Sequence, residues 1–273
     1  MKDARSDEVF SVASKDGTLI GCAVDGDGPP LLMVHGTGDT HLGWRRVRGL
    51  LTPHFKLYLM DRRGRGISGD NPEYSLEREW DDVAAVLDAI EGVSLFAHSF
   101  GAMCSLEAML RAREGNLRQA MIYEPSVNRM LSNPVRDTAV DEMARLIAAG
   151  DRDHAVELHL RSIINVPDET IARQRALAES WAVRCGMAHT MPRELLALRG
   201  YEFEPERFAP ITVRTGIIVG GKSPERSHET ARQLHRAIPN SELFSLEGQG
   251  HFGMLTAPDL FARTLVAFLK PED

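Results

Sequence analysis

The sequence predicts an α/β fold, a mostly parallel sheet flanked by helices and carrying an inserted helical cap. Three observations lead there. Short apolar runs without polar alternation, at residues 31–34, 93–96 and 216–219, read as strands covered on both faces. Between such runs stand segments of helical period, which is the βα alternation of a parallel sheet. From about Ser126 to Phe208 strand patterns stop and only helical ones remain. Residues 1–125 and 209–273 are therefore expected to form the core domain, and residues 126–208 the cap.

In chain order, residues 9–13 and 18–24 read as two antiparallel strands turning at Asp16-Gly17. Residues 31–34 and 55–60 are strands around a helix at 44–51. The pattern Trp80, Val83, Ala84, Leu87 and Ile90 makes 76–90 an amphipathic helix with Ser75 as its N-cap. Residues 119–123 form a further strand. The cap offers helices at 135–149, 152–164, 169–181 and 193–199. Strands at 216–219 and 242–246 enclose a helix at 225–238, and residues 258–269 close with an amphipathic helix.

Composition excludes several classes of function. The 273 residues carry a formal charge of −7 with no basic face, so nucleic acid is not an expected partner. No apolar run reaches the roughly 20 residues of a membrane helix, and the charged N-terminus is no signal peptide. Cys22, Cys104 and Cys185 are scattered and odd in number, as expected of reduced thiols in a cytoplasmic protein. Asp25-Gly26-Asp27-Gly28 lacks the third acid and the distal glutamate of a calcium loop. Gly64, Gly66 and Gly69 match a dinucleotide fingerprint, but Asn71-Pro72 stands where the phosphate-binding helix would open. They read as loop glycines, with Arg62, Arg63 and Arg65 in local salt bridges. No metal and no cofactor is expected.

The chemistry centres on Ala97-His98-Ser99-Phe100-Gly101. A strand ends there, a helix begins, and small residues flank the serine two positions away on either side. That is a nucleophile elbow, in which the sharp turn presents Ser99 Oγ at the carboxyl end of the strand. A serine hydroxyl needs a base within hydrogen-bonding reach. His251, in the glycine-rich loop after the last strand, is the candidate. His35 is expected to structure the loop beneath the site, and His98 to face away from the nucleophile. His154 and His159, five residues apart on a cap helix, read as solvated rather than as ligands. The base needs a carboxylate to hold its tautomer. Ser223 stands in the Gly-Gly-Lys-Ser segment where that aspartate usually lies, so Glu124, at the end of the preceding strand, is the candidate acid, with Glu225 as its rival. The oxyanion of an acyl-transfer intermediate needs two N–H donors. Phe100 and the Gly36-Thr37 segment are the candidates. Trp181, His189, Met130 and Met191 of the cap are candidate substrate contacts.

Four motifs in order, His35-Gly36-Thr37-Gly38, Asp61 to Ser68, Ala97 to Gly101 and Gly250-His251, resemble the α/β-hydrolase superfamily over essentially the whole chain. The resemblance implies an eight-stranded sheet with a helical cap and the triad order serine, acid, histidine. Tyr123-Glu124-Pro125 looks like the arrangement in the zearalenone lactone hydrolase type, which takes its acid after the sixth strand. It further implies a cofactor-independent serine hydrolase acting on a small-molecule substrate, a medium-sized, fairly hydrophobic carboxylic ester or lactone. C–C bond hydrolysis, or ligand binding on a hydrolase scaffold, are the alternatives.

Overall fold

The computed structural model describes residues 8–127 and 134–270. Eight strands make one sheet: β1 Glu8–Ala13, β2 Leu19–Asp25, β3 Pro30–Val34, β4 Lys56–Met60, β5 Ser94–His98, β6 Gln119–Tyr123, β7 Arg214–Gly220 and β8 Ser241–Leu246. Their order is β1-β2-β4-β3-β5-β6-β7-β8. The β1–β2 and β2–β4 pairs are antiparallel, and all later pairs are parallel. Helices α1 Arg45–Leu51, α2 Leu76–Ala89 and α3 Ser99–Met109 follow β3, β4 and β5. Between β6 and β7 lie α4 Pro134–Ala148, α5 Arg152–Leu158, α6 Asp168–Arg175, α7 Ala178–Gly186 and α8 Thr190–Leu198. Helices α9 Glu225–Ala237, α10 Gly253–Thr256 and α11 Pro258–Leu269 complete the described chain.

The apolar run of β3 is continuous because each face feeds its own core layer. Leu32 and Val34 pack with Val83 and Leu87 of α2, Leu106 of α3 and Leu234 of α9. Leu31 and Met33 join Val47 and Leu51 of α1 and Phe261 and Leu265 of α11 on the other face. Ser75 caps α2, its hydroxyl accepting from the Arg78 N–H at 3.4 Å. A third cluster, including Val156, Leu160, Trp181, Met187 and Met191, holds the cap together.

The cap departs from the sequence expectation in its breaks. The stretch expected as one helix over 169–181 is two, because the chain leaves helical geometry at Leu177. The stretch over 152–164 gives way at His159–Ile163 to a π-helical turn. His159 opens this turn on the buried face it shares with Ala155 and Val156 of α5, and Asn165 follows the turn in the left-handed region at φ 60°. Residues 253–256, between the glycine-rich loop and the last helix, form a helical turn.

Core and cap are joined by buried charge. Glu194 of α8 is fully buried, 2.9 Å from Arg62 and in a short contact with Arg65. Arg62 also holds Glu79 of α2 at 2.9 Å, and its guanidinium lies 4.3 Å over the Phe100 ring. The arginine-rich loop is thus a salt-bridge network, and its charges are consumed internally. Removing one partner of a buried network leaves the other charges uncompensated, typically at a cost of about 3–5 kcal/mol. Glu194→Gln should therefore lower the unfolding free energy in urea by about that much. A loss below about 1 kcal/mol would show the network to be energetically neutral.

Candidate active site

The site lies at the carboxyl ends of the central strands, where parallel α/β sheets present their loops. Strand β5 pairs with β6 so that His98 is opposite Tyr123, and Ser99 and Glu124 each follow the last paired residue. Both occupy the left-handed region, at φ 56° and 43°, which is strained for residues with a Cβ. The turn at Ser99 is possible because its neighbours are small. A Cβ on Gly101 would meet the His35 carbonyl oxygen at 2.3 Å, and one on Gly36 would meet Ser99 Cβ at 2.9 Å.

His251 Nε2 lies 3.0 Å from Ser99 Oγ, and its Nδ1 lies 2.7 Å from Glu124 Oε2. The other oxygen of Glu124 accepts from the Gly220 N–H at 2.8 Å and from Ser223 Oγ at 2.5 Å. Ser223 thus occupies the usual acid position as a donor to a carboxylate that arrives from the neighbouring strand. Burial pushes the Glu124 carboxyl up, but the imidazole of His251, the Ser223 hydroxyl and the Gly220 N–H outweigh it and hold it below its ordinary value. Glu225, the rival acid, is exposed and paired with Arg232 at 2.6 Å.

Ser99 Oγ also lies 3.1 Å from Ser126 Oγ, and the Ser126 N–H donates to the Ser99 carbonyl at 3.0 Å. With Nδ1–H of His251 given to Glu124, Nε2 accepts from Ser99, so the Ser126 hydroxyl donates to the serine oxygen. Phe100 is the second residue of α3, and first-turn N–H groups have no intrahelical acceptor, which leaves its N–H available at the site. Gly36 and Thr37 line the same cavity, the expected second side of an oxyanion site.

His98 does not face away as expected. Its Nε2–H donates to the His251 carbonyl at 2.8 Å, and the two rings are 4.5 Å apart. Burial, then the charge of His251, holds His98 well below its ordinary value, so it stays a neutral donor. The Tyr123 hydroxyl donates to the Gly250 carbonyl in a short bond, so two strand ends clamp the His251 loop. His98→Phe keeps a ring and removes the donor. By the worth of one hydrogen bond it should lower kcat about tenfold, with KM little changed. An unchanged kcat would show that Tyr123 alone suffices. His35 is buried beneath, taking the Arg62 N–H at 3.3 Å on Nε2, with its Nδ1 2.8 Å from the Gly36 carbonyl.

The cavity over Ser99, about 230 Å³, includes Ile163, Ile164 and Leu195 of the cap and Phe252 of the histidine loop. His159 lines it too and is buried, not solvated as expected; burial, then Arg184, lowers its pKa to about 3, so it is neutral. The expected cap contacts are elsewhere. Trp181 is packed in the cap cluster, its indole N–H donating to Asp153 at 2.7 Å. His189 faces Asp70 at 3.2 Å, and Met191 is buried in the cap cluster with its methyl toward Gly38. None of the three lines this cavity, because each serves the internal packing or docking of the cap. Met130 lies outside the described residues.

Among the described residues, Asp153, His154 and Glu157 form the one cluster with metal-ligand spacing, but Asp153 and Glu157 are salt-bridged to Arg175. No helix among them is long and apolar enough to cross a membrane.

Comparison with known proteins agrees with this architecture. The crystal structure of an alpha/beta hydrolase from Sphaerobacter thermophilus DSM 20745 superposes with a TM-score of 0.79 and 36% identity, covering 95% of this chain and 100% of that one. The esterase RhEst1 from Rhodococcus sp. ECU1013 superposes at 0.73 with 20% identity over 96% of this chain and 98% of that one. A relative from Agrobacterium fabrum (strain C58 / ATCC 33970), provisionally named carbamate hydrolase RutD, is 24% identical over 263 residues, 91% of this chain and 96% of that protein. The model of the alpha/beta hydrolase family matches residues 31–264, and the chain belongs to that family.

Proposed function

We propose that the protein is a serine hydrolase that cleaves a carboxylic ester or lactone through a Ser99–His251–Glu124 triad and an acyl-enzyme. One observation carries the reading: His251 stands between a strained serine hydroxyl at 3.0 Å and a buried carboxylate at 2.7 Å. In this reading His251 Nε2 takes the Ser99 proton as Oγ attacks the carbonyl carbon, and Glu124 stabilises the imidazolium. The oxyanion that forms is met by the N–H groups of Phe100 and Thr37. His251 then protonates the departing alkoxide, and water deacylates Ser99 by the same path in reverse. For a lactone the alcohol stays tethered to the acyl group. A cavity of about 230 Å³ suits a small to medium-sized substrate, with its alkyl part on Ile163, Ile164, Leu195 and Phe252.

The test is labelling of the protein by a fluorophosphonate probe, followed by kcat/KM on a series of p-nitrophenyl esters and simple lactones. Stoichiometric labelling with turnover supports the reading. Labelling without turnover on any of them favours a ligand-binding role on this scaffold, and absence of labelling sinks the nucleophile assignment.

A further inference from the structure

Among the described residues, one buried side-chain atom without a hydrogen-bond partner belongs to the wall of the Ser99 cavity, Nδ1 of His159. The residue is 2% exposed and opens the π-helical turn that leads to Ile163 and Ile164, the apolar part of the same wall. The other ring nitrogen, Nε2, looks across to the oxyanion loop. A Cβ on Gly38 would stand 3.0 Å from it, and Gly38, at φ 69°, carries none. Buried polar groups are paired as a rule, so one left without a partner in a cavity wall points to a partner from outside the chain. We propose that His159 binds the substrate, its Nε2–H donating to an oxygen that the ester or lactone carries apart from the bond that is cleaved, such as a keto, hydroxyl or ether oxygen. The inference rests on the hydrolase reading above for the reaction, but not for the binding of that oxygen.

The choice of donor follows from the ring. A neutral imidazole carries one N–H and one lone pair. A proton on Nδ1 would be a sealed donor with nothing to receive it, so it belongs on Nε2, the nitrogen on the side of Gly38. The ring is neutral because burial, then the positive charge of Arg184, lowers its pKa to about 3. The polar side chains at the reacting end are already engaged: Ser99, His251 and Glu124 with one another, Ser126 with Ser99, and His98 with the His251 carbonyl. Asp39, on the loop next to Gly38, accepts from the Thr40 N–H at 2.9 Å. His159 thus adds a directional donor to a wall in which Ile163, Ile164 and Leu195 only exclude water. A substrate analogue with a methylene in place of the oxygen would bury that donor without an acceptor, which is how a site rejects a molecule of nearly the same shape. For packing alone leucine would serve this position better, since it removes the unpartnered polar atom.

The experiment compares isosteric esters by pH-stat, each rate divided by that of hydroxide hydrolysis. Ethyl pentanoate is set against ethyl levulinate, with the oxygen on the acyl side, and butyl acetate against 2-methoxyethyl acetate, with it on the alcohol side. The wild-type protein should favour the oxygenated member of one pair in kcat/KM by about 10- to 100-fold, chiefly through KM. In His159→Leu that ratio should fall toward one, while the thermal midpoint should not fall. In His159→Gln, whose amide keeps a donor, part of the ratio should return. A second arm needs no turnover. In Ser99→Ala labelled with 15N-histidine, the His159 ring is assigned by its absence once His159→Gln is added. It should carry its proton on Nε2, and the oxygenated ester should shift that resonance more than its isostere does. Turnover of all four esters with neither ratio above about twofold, and no such shift, overturns the binding role and leaves the hydrolase reading standing. A ratio that survives in His159→Leu, or a proton on Nδ1, overturns it as well. A shift caused by the oxygenated ester alone, without turnover of any ester, upholds the binding role and removes the hydrolase reading. Should His159→Leu not fold, the resonance decides.

Discussion

Ser99→Ala is expected to abolish turnover, lowering kcat by about 10⁴- to 10⁶-fold, while leaving the unfolding transition within about 1 kcal/mol of wild type. The size follows from how the site is arranged. Ser99 Oγ is the atom on which His251 Nε2 and Ser126 Oγ converge, at 3.0 and 3.1 Å. Ser126 cannot simply take over, because its hydroxyl faces Ser99 Oγ, which is the oxygen that stands against the imidazole. Without Oγ, no covalent intermediate can form, and the residual rate comes only from the oxyanion donors acting on bound water. The fold should not suffer, since Ser99 makes its structural bond through its backbone carbonyl, to Ser126. Alanine relieves nothing at φ 56°, because it keeps the Cβ. The check is single-turnover and steady-state kinetics on the best ester, with circular dichroism melting alongside. A variant that keeps a tenth of the activity would remove Ser99 from the nucleophile role.

How much of this was legible in the sequence follows from how local each signal is. The sheet is legible because the central strands β3, β5, β6 and β7 feed a core layer on each face and so show as apolar runs, and because Ser75 and the apolar spacing mark α2. The elbow was legible for the same reason: strand, small residues, serine and helix are contiguous. Glu124 is legible only indirectly, from the missing acid at Ser223, its place at the end of the preceding strand and the resemblance of Tyr123-Glu124-Pro125. Its left-handed backbone, which aims the carboxylate at His251, has no sequence signal. The cap was the least legible part. A π-helical turn carries one extra residue, so every side chain after it faces differently from what a period of 3.6 predicts. His159 opens the turn and keeps the helical spacing of the buried Ala155 and Val156, which places it in the cavity wall, while Trp181, the more conspicuous residue, belongs to the cap's own packing. His98 departs from its expected place because alternation along a strand tells which face a residue takes, not what a later loop lays against it.

Glu124→Gln should be the second nearly inactive variant, with kcat reduced by about 10⁴-fold, the scale seen when a triad loses its carboxylate but keeps its shape. The amide can still accept from the Gly220 N–H, so the fold is kept. What disappears is the charge facing His251 Nδ1, and with it the tautomer that leaves Nε2 free to take the Ser99 proton. The carboxyl is held below its ordinary value, so the sign of its pH dependence is set. Its contribution to stability is present above the unfolded-state value and is lost only as the pH falls through the lower folded-state value. Glu124 is therefore ionised across the neutral range, and the defect of Glu124→Gln should not be repaired by raising the pH. Ser223→Ala removes one donor to the same carboxylate and should cost about tenfold, in line with a single charge-assisted hydrogen bond. Glu225→Gln, on an exposed residue paired with Arg232, should match wild type. Adding Ser223→Asp to Glu124→Gln returns a carboxylate from the strand end next to β6, and should recover part of the lost rate. The four variants are compared by kcat on one ester at several pH values. An active Glu124→Gln beside an inactive Glu225→Gln would hand the role to the rival acid, and full activity in both would mean that His251 is oriented by the shape of the site and not by one carboxylate.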